Sequence, residues 1–269
     1  MGCLNSTKDF KHWFGNIHLS GPCNRSCYFC IGQHMMELDA LNTLDSWPLP
    51  GITEFVDTCR ARGIKEINLT GTNTDPLLYK HHQELAEYLR GNIEGAVLGM
   101  RTNAVKPSSA YDLYDKGSVT VCSFNPAVYK AMMGQGAPPD LSNVNPRTWK
   151  VNVVLGPENA GEDLLDTLYI LRGLGFTRVN LREPYGQPHV GNPLTHLKPS
   201  YHTLGMPTYQ SGNCSVTYWD VHYVEVESVN LYANGTVSDD YPITRGHSKL
   251  GVVQEQSSFP GGRVRSQWL

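Results

Sequence analysis

A repeat of type restricts this chain more than any other feature: a short β-rich run followed by an amphipathic helical pattern, several times over. The runs are "NIHLS" (16–20), "KEINLTG" (65–71), "AVLGMRT" (96–102), "SVTVCS" (118–123), "KVNVVL" (150–155) and "TRVNLR" (177–182). Their length and β-branched content mark them as strands. Between them, "GITEFVDTCRARG" (51–63), "LLYKHHQELAEYLRG" (77–91) and "AGEDLLDTLYILRGLG" (160–175) carry apolar residues at three- and four-residue steps, with glycine after the last turn. Strand then helix, repeated, implies parallel strands joined by crossover helices. Six such units, short of the eight in a closed barrel, predict an α/β fold: a partial (β/α)6, TIM-like barrel.

The pattern changes after residue 185. "GQPHVGNPLTHLKPS" (186–200) reads as loop, and "SVTYWDVHYVEVESVNLYANGTVSDDYPI" (215–243) is β-rich with an Asn234-Gly235 turn. The expectation is a barrel core over 1–185 and, over 186–269, a loop and C-terminal β-hairpin extension packing on it within a single structural domain.

With 40% hydrophobic and 17% charged residues, burial must drive folding. The formal net charge of -3 argues against a nucleic-acid partner, because phosphate binding calls for basic excess. No apolar run is long enough to span a bilayer and no signal-peptide pattern opens the chain, so a cytoplasmic protein with no membrane partner is expected. The odd count of 7 cysteines fits a reducing compartment. Cys59 and Cys122 sit in apolar contexts and read as small buried hydrophobes.

Only Cys23, Cys27 and Cys30 form a group, in "GPCNRSCYFC" (21–30). Such a cluster in an α/β chain points to metal or redox chemistry. A structural zinc site takes four ligands, and no second cysteine pair exists here; His18 or His34 as the fourth ligand keeps zinc open. Three thiolates on an iron–sulfur cube would leave one iron open to another ligand. The group directly follows the first strand, hence lies at the C-terminal mouth where (β/α) barrels place their chemistry.

Cys23-xxx-Cys27-xx-Cys30, with aromatic Phe29 before the third cysteine, resembles the signature of the radical S-adenosylmethionine (AdoMet) superfamily. The resemblance spans roughly residues 14 to 185. It implies a partial (β/α)6 barrel and a [4Fe–4S] cluster on the three cysteines, with AdoMet on the open iron. Reductive cleavage of AdoMet would give a 5′-deoxyadenosyl radical that abstracts hydrogen from substrate. The family's glycine-rich segment after its second strand corresponds to "LTGTNTDPLLY" (69–79), which keeps the first glycine but not "GGE". The resemblance implies AdoMet contacts from Phe29, Gly71, Thr72, Asn73 and Asp75. "MRTNAV" (100–105), "VTVCSFNPAVYKAMMG" (119–134) and the stretch 150–185 look closest to the GTP-cyclising enzyme of molybdenum-cofactor synthesis, and they add Arg101, Asn103, Ser123, Asn152 and Arg182. That cyclase carries further cysteines for a second cluster. Here only Cys214 follows Cys122, so neither that cluster nor its reaction is expected.

Glu183 and Tyr185, just beyond the sixth strand, and Trp219 and His222 in the tail are candidate substrate contacts. Asp220 and His222 share one strand face, read as surface or structural. His81 and His82 begin a helix and are expected to face solvent. The expected partners are a small-molecule or nucleotide substrate and a one-electron donor such as flavodoxin or ferredoxin. Two alternatives stand beside this: radical modification of a peptide or nucleic acid, with Arg245, Lys249, Arg263 and Arg265 as a docking arm, and a zinc-stabilised, non-catalytic binding module.

Overall fold

A computed structural model describes residues 13–34, 41–106, 108–184, 187–220 and 227–240. Tyr185, His222 and the four basic residues of the tail lie outside the described residues. The six expected strands are β1 (Trp13–Leu19), β2 (Glu66–Gly71), β3 (Val97–Thr102), β4 (Lys116–Thr120), β5 (Trp149–Val154) and β6 (Arg178–Arg182). Helices α1 (Ile52–Ala61), α2 (His82–Asn92), α3 (Pro126–Met133) and α4 (Glu162–Gly173) lie between them. β1 to β6 pair in chain order and in parallel, the topology of a partial TIM-like barrel.

Beyond β6 come β7 (Tyr201–Thr203), β8 (Met206–Ser211), β9 (Cys214–Trp219), β10 (Glu227–Leu231) and β11 (Val237–Ser238). The expected hairpin forms across the Asn234-Gly235 turn, between β10 and β11, but the run 215–243 as a whole divides between the two edges of the sheet. β9 adds parallel to β6, while β10 joins the opposite edge, parallel to β1. Each carries an antiparallel flank: β8 and β7 outside β9, and β11 outside β10 across the Asn234-Gly235 turn. Both edges of the parallel sheet are thereby extended and covered.

The segment expected as one helix over 77–91 divides in two. Asp75 accepts the Leu77 amide at 3.0 Å and, with Pro76, starts a single turn, Pro76–Leu78, after which Tyr79 returns to extended backbone. α2 begins only at His82.

Alternation along the strands sorts their residues onto two faces. Ile17, Leu19, Ile67, Leu69, Leu98, Met100, Val119, Val151, Val153, Val179 and Leu181 are all buried on the side that carries the helices, packed with Phe55, Leu85, Leu89, Leu164 and Leu171. The neighbouring positions, Asn16, His18, Asn68, Thr70, Arg101, Ser118, Thr120, Lys150, Asn152, Asn180 and Arg182, face the inside of the barrel.

Candidate active site

The cysteine loop leaves the end of β1 and is tied on every side. Asn73 Oδ1 accepts both the Ser20 hydroxyl and the Gly21 amide at 3.0 Å, and Thr74 donates to the Pro22 carbonyl at 2.9 Å. Asn103 Nδ2 reaches Asn24 at 2.7 Å, Arg25 Nε donates to the Tyr129 hydroxyl at 3.2 Å, and the Ser26 amide donates to Met133 at the end of α3. Backbone approach is close enough to demand glycine at two places. A Cβ on Gly32 would stand 2.5 Å from the Thr72 carbonyl, and one on Gly134 (φ +79), 2.6 Å from the Ser26 carbonyl. The loop is therefore clamped between the β2 segment and α3.

Within it, Cys23 is exposed while Cys27 and Cys30 are half-buried, all as free thiols. Burial first, and then the neighbouring Cys30 and Cys23, pushes the Cys27 thiol up to about 12. Cys23 is also raised, chiefly by burial. Cys27 Sγ lies 3.5 Å from Met133 Sδ, and Cys30 Sγ lies 3.8 Å from the Thr72 carbonyl.

The three cysteines line one wall of a cavity of about 260 Å³ at the C-terminal ends of the strands. Phe29, Gly71, Thr72, Asp75, Arg101, Asn103, Asn152, Arg182 and Glu183 line the same cavity. Their roles differ. Thr72 Oγ1 is buried and has no protein partner, an orphaned hydroxyl on the cavity wall. Asp75 is fully engaged by the protein: its carboxylate accepts the Thr102 hydroxyl at 2.8 Å, the Asn103 amide at 2.6 Å and the Leu77 amide. Burial raises its pKa, and those donors work against the rise. Asp75 thus joins the ends of β2 and β3. Asn152 accepts from Asn180 at 3.2 Å, and the Arg182 guanidinium lies 6.0 Å from the centre of the Trp219 ring.

Two expected cofactor contacts do not line the cavity. Asn73 is spent on the cysteine loop. Ser123 donates to Asp163 at 2.8 Å and accepts the Asn125 amide, so it organises the starts of α4 and α3. Of the expected substrate contacts, Trp219 does not line the cavity but backs Arg182. Glu183 lines it with both oxygens occupied, by the Tyr218 hydroxyl at 2.6 Å and the amides of Gly191 and Val190. It fastens the following loop to β6 and β9. His82 is buried, not solvent-facing, and bonds the Tyr114 hydroxyl at 2.7 Å; Asp220 is buried as well. Cys59 and Cys122 are fully buried, as expected.

His18 is a cavity residue that the strand pattern could have identified, since it alternates with Ile17 and Leu19. Asn230 Nδ2 donates to the carbonyls of Ser238 and Asp240, which turns its Oδ1 toward Asn16 Nδ2 at 2.9 Å and His18 Nε2 at 3.2 Å. His18 must then donate from Nε2, leaving Nδ1 as an acceptor. The ring stacks on Tyr232 with centroids 5.1 Å apart. Burial lowers its pKa to about 4, partly offset by the Asn230 bond, so it is a neutral imidazole.

Cys23, Cys27 and Cys30 come from one loop and line one cavity. Three thiols there are a donor set that a cube, taking one thiolate per iron, can use with one iron left open.

No protein-family model matches the chain, and no curated protein matches it. Among solved structures, SuiB of Streptococcus suis bound to S-adenosylmethionine aligns with a TM-score of 0.45 at 13% identity, over 64% of this chain and 39% of that one. Methylornithine synthase (PylB) aligns with a TM-score of 0.45 at 14% identity, over 70% of this chain and 57% of that one. BtrN in complex with AdoMet and 2-DOIA aligns with a TM-score of 0.30 at 17% identity, over 41% and 46%. This chain spans about half the length of these neighbours or less. Among the described residues no helix is long and apolar enough to cross a membrane.

Proposed function

We propose that this protein is a radical AdoMet enzyme acting on a small molecule or nucleotide, in which Cys23, Cys27 and Cys30 hold a [4Fe–4S] cluster and AdoMet occupies the adjoining part of the cavity. The observation that carries the reading is the three-thiol loop forming one wall of a cavity whose other walls are polar strand ends. When bound, the pair supplies one-electron reductive cleavage of AdoMet and, from it, hydrogen abstraction at an unactivated C–H bond.

The chain's own part is holding and excluding. Gly71 and Thr72 present backbone and an unpartnered hydroxyl to the cavity beside Cys30, a setting suited to a polar cofactor end. Asp75 and Asn103 fix the strand ends and the loop relative to each other. Phe29, Ile31, Met133 and Val154 add apolar surface that keeps water from the reacting centre. The exposed Cys23 leaves one edge of the loop at the surface, where a one-electron donor such as flavodoxin or ferredoxin can approach.

Anaerobic reconstitution tests this directly. The expected product is brown protein with about four iron per chain, and dithionite plus AdoMet should yield 5′-deoxyadenosine. Cys27→Ala should abolish that yield. Colourless protein holding one zinc would overturn the reading in favour of a structural metal site.

A further inference from the structure

One layer of the inner wall carries polar atoms that the protein itself leaves unspent. Register sets His18 of β1 beside Thr70 of β2. On the other flank of β2, Leu69 pairs with Met100, so the next residues along, Thr70 and Arg101, are neighbours as well. His18, Thr70 and Arg101 all line the cavity. Gly71 and Thr72 follow Thr70 toward Cys30, on the wall proposed for AdoMet, so this layer lies one step deeper in the barrel.

His18 Nε2 is spent on Asn230 Oδ1 at 3.2 Å, toward β10 on the far side of β1 from Thr70, which leaves Nδ1 as an acceptor. Among the described residues nothing donates to Nδ1, and it is not sealed off from the cavity. The Arg101 guanidinium has no hydrogen bond or ion pair among the described residues; the centre of the Phe14 ring lies 5.9 Å from it. The Thr70 hydroxyl between the two has no partner among the described residues either. Burial lowers the His18 pKa, the Asn230 bond raises it in part, and the Arg101 charge lowers it again, so the ring is neutral and within electrostatic reach of Arg101. A neutral acceptor therefore stands beside a cationic donor on one wall of the cavity.

We infer that the substrate of this enzyme is a hydroxy acid, whose carboxylate is held by Arg101 and whose hydroxyl donates to His18 Nδ1, with Thr70 between them. The planar guanidinium fork matches a carboxylate in two parallel hydrogen bonds. The group on His18 must bring a proton of its own, because the neutral ring offers only a lone pair to the cavity. An ammonium there would stand beside the Arg101 charge and be repelled, whereas a hydroxyl is not. β1 and β3 lie roughly 10 Å apart across β2, a gap that a small ligand seated over Thr70 and the long Arg101 side chain close between them. Calling this ligand a substrate rests on the radical AdoMet reading; the subsite stands on the three side chains alone.

Two probe acids that differ only in the hydroxyl, mandelate and phenylacetate, test the subsite by calorimetric titration of the full-length chain without iron or AdoMet. Wild type should prefer mandelate about tenfold, because phenylacetate leaves the His18 lone pair unmet. His18→Phe keeps a ring against Tyr232 and should erase that preference. Arg101→Gln should weaken both acids about tenfold while the preference stays. The preference is a ratio within one protein, so partial unfolding does not mimic its loss, and urea denaturation of each variant controls for folding. In the reconstituted protein, saturating AdoMet should leave mandelate binding in place. No binding of either acid to the wild type, equal binding of the two, a preference that survives in folded His18→Phe, unchanged affinity in Arg101→Gln, or displacement of mandelate by AdoMet would each overturn the inference. Absence of iron or of 5′-deoxyadenosine would instead strike the cofactor reading and leave the subsite standing.

Discussion

The two faces of the same strands have opposite chemistry. On the helix side, Leu19, Met100, Val119, Val151 and Leu181 are each 0% exposed and belong to one apolar core. On the inner side, Asn16, Asn152, Asn230 and Ser118 are nearly as buried, yet every one is polar. Parallel strands covered on both faces ordinarily read as continuous hydrophobic runs. Here the inner face keeps its polar groups because it surrounds a cavity and a side-chain network, in place of packed hydrocarbon. The outer face holds the fold together, at about 1.5–3 kcal/mol for each large aliphatic side chain buried. The inner face is free to carry chemistry.

The sharpest way to break this contrast is to place one carboxylate on either face at adjacent positions. Val151→Asp puts an unpaired charge among Val119, Val153 and the helices, at a cost of more than about 4 kcal/mol, and should abolish cooperative unfolding in urea. Asn152→Asp puts the same charge on the inner wall, near Lys150, Arg101 and Arg182, and should stay folded with a cooperative transition. Equal damage from both would mean that the inner face is packed like the outer one.

The alternation behind this contrast was visible in "NIHLS", "KEINLTG" and "TRVNLR", and it located the six strands to within a few residues. So did the three- and four-residue periodicity for α1 and α4, whereas the helix read over 77–91 begins only at His82. Strand order at the edges was not visible. Nothing local in 215–243 distinguishes a hairpin from two strands that separate to opposite edges, because partner choice is set by which edge lies open once β1 to β6 are in place. The direction of single polar side chains was equally hidden. Asn73 and Ser123 occupy the expected positions, but an Asn or Ser next to free backbone amides satisfies those first. The cysteine spacing identified the loop because it depends on sequence distance alone.

A second contrast compares two histidines, both held near a pKa of about 4 by burial: His18 on the inner face and His82 beside the outer core. In the unfolded chain each titrates near 6.5, so between those values the unfolded state binds more protons and stability falls as pH falls. Above that range the effect disappears. For each histidine the loss from about pH 7 to about pH 5 is about 2 kcal/mol, seen as a lower urea midpoint. His18→Gln should remove the inner-face share and leave that of His82, halving the pH sensitivity. An unchanged pH profile in His18→Gln would show that Asn230 does not hold a neutral ring in place.

The smallest effect is also the most exact comparison, since it exchanges the same two residue types between neighbouring positions. Thr217, on the inner face of β9, ends a row of hydroxyls in which the Thr203–Thr208 and Thr208–Thr217 hydrogen bonds are each 3.0 Å long. Thr217→Val keeps the shape, and Thr208 retains Thr203 as its partner, so the loss should be about 0.5–1.5 kcal/mol. Val216 faces the core and is 4% exposed. Val216→Thr inserts a hydroxyl with nothing to bond, at about 1–3 kcal/mol. Urea midpoints should therefore order wild type above Thr217→Val above Val216→Thr. The reverse order would mean that at β9 the hydroxyl row matters more than the apolar face, and the division between the two faces would end at β6.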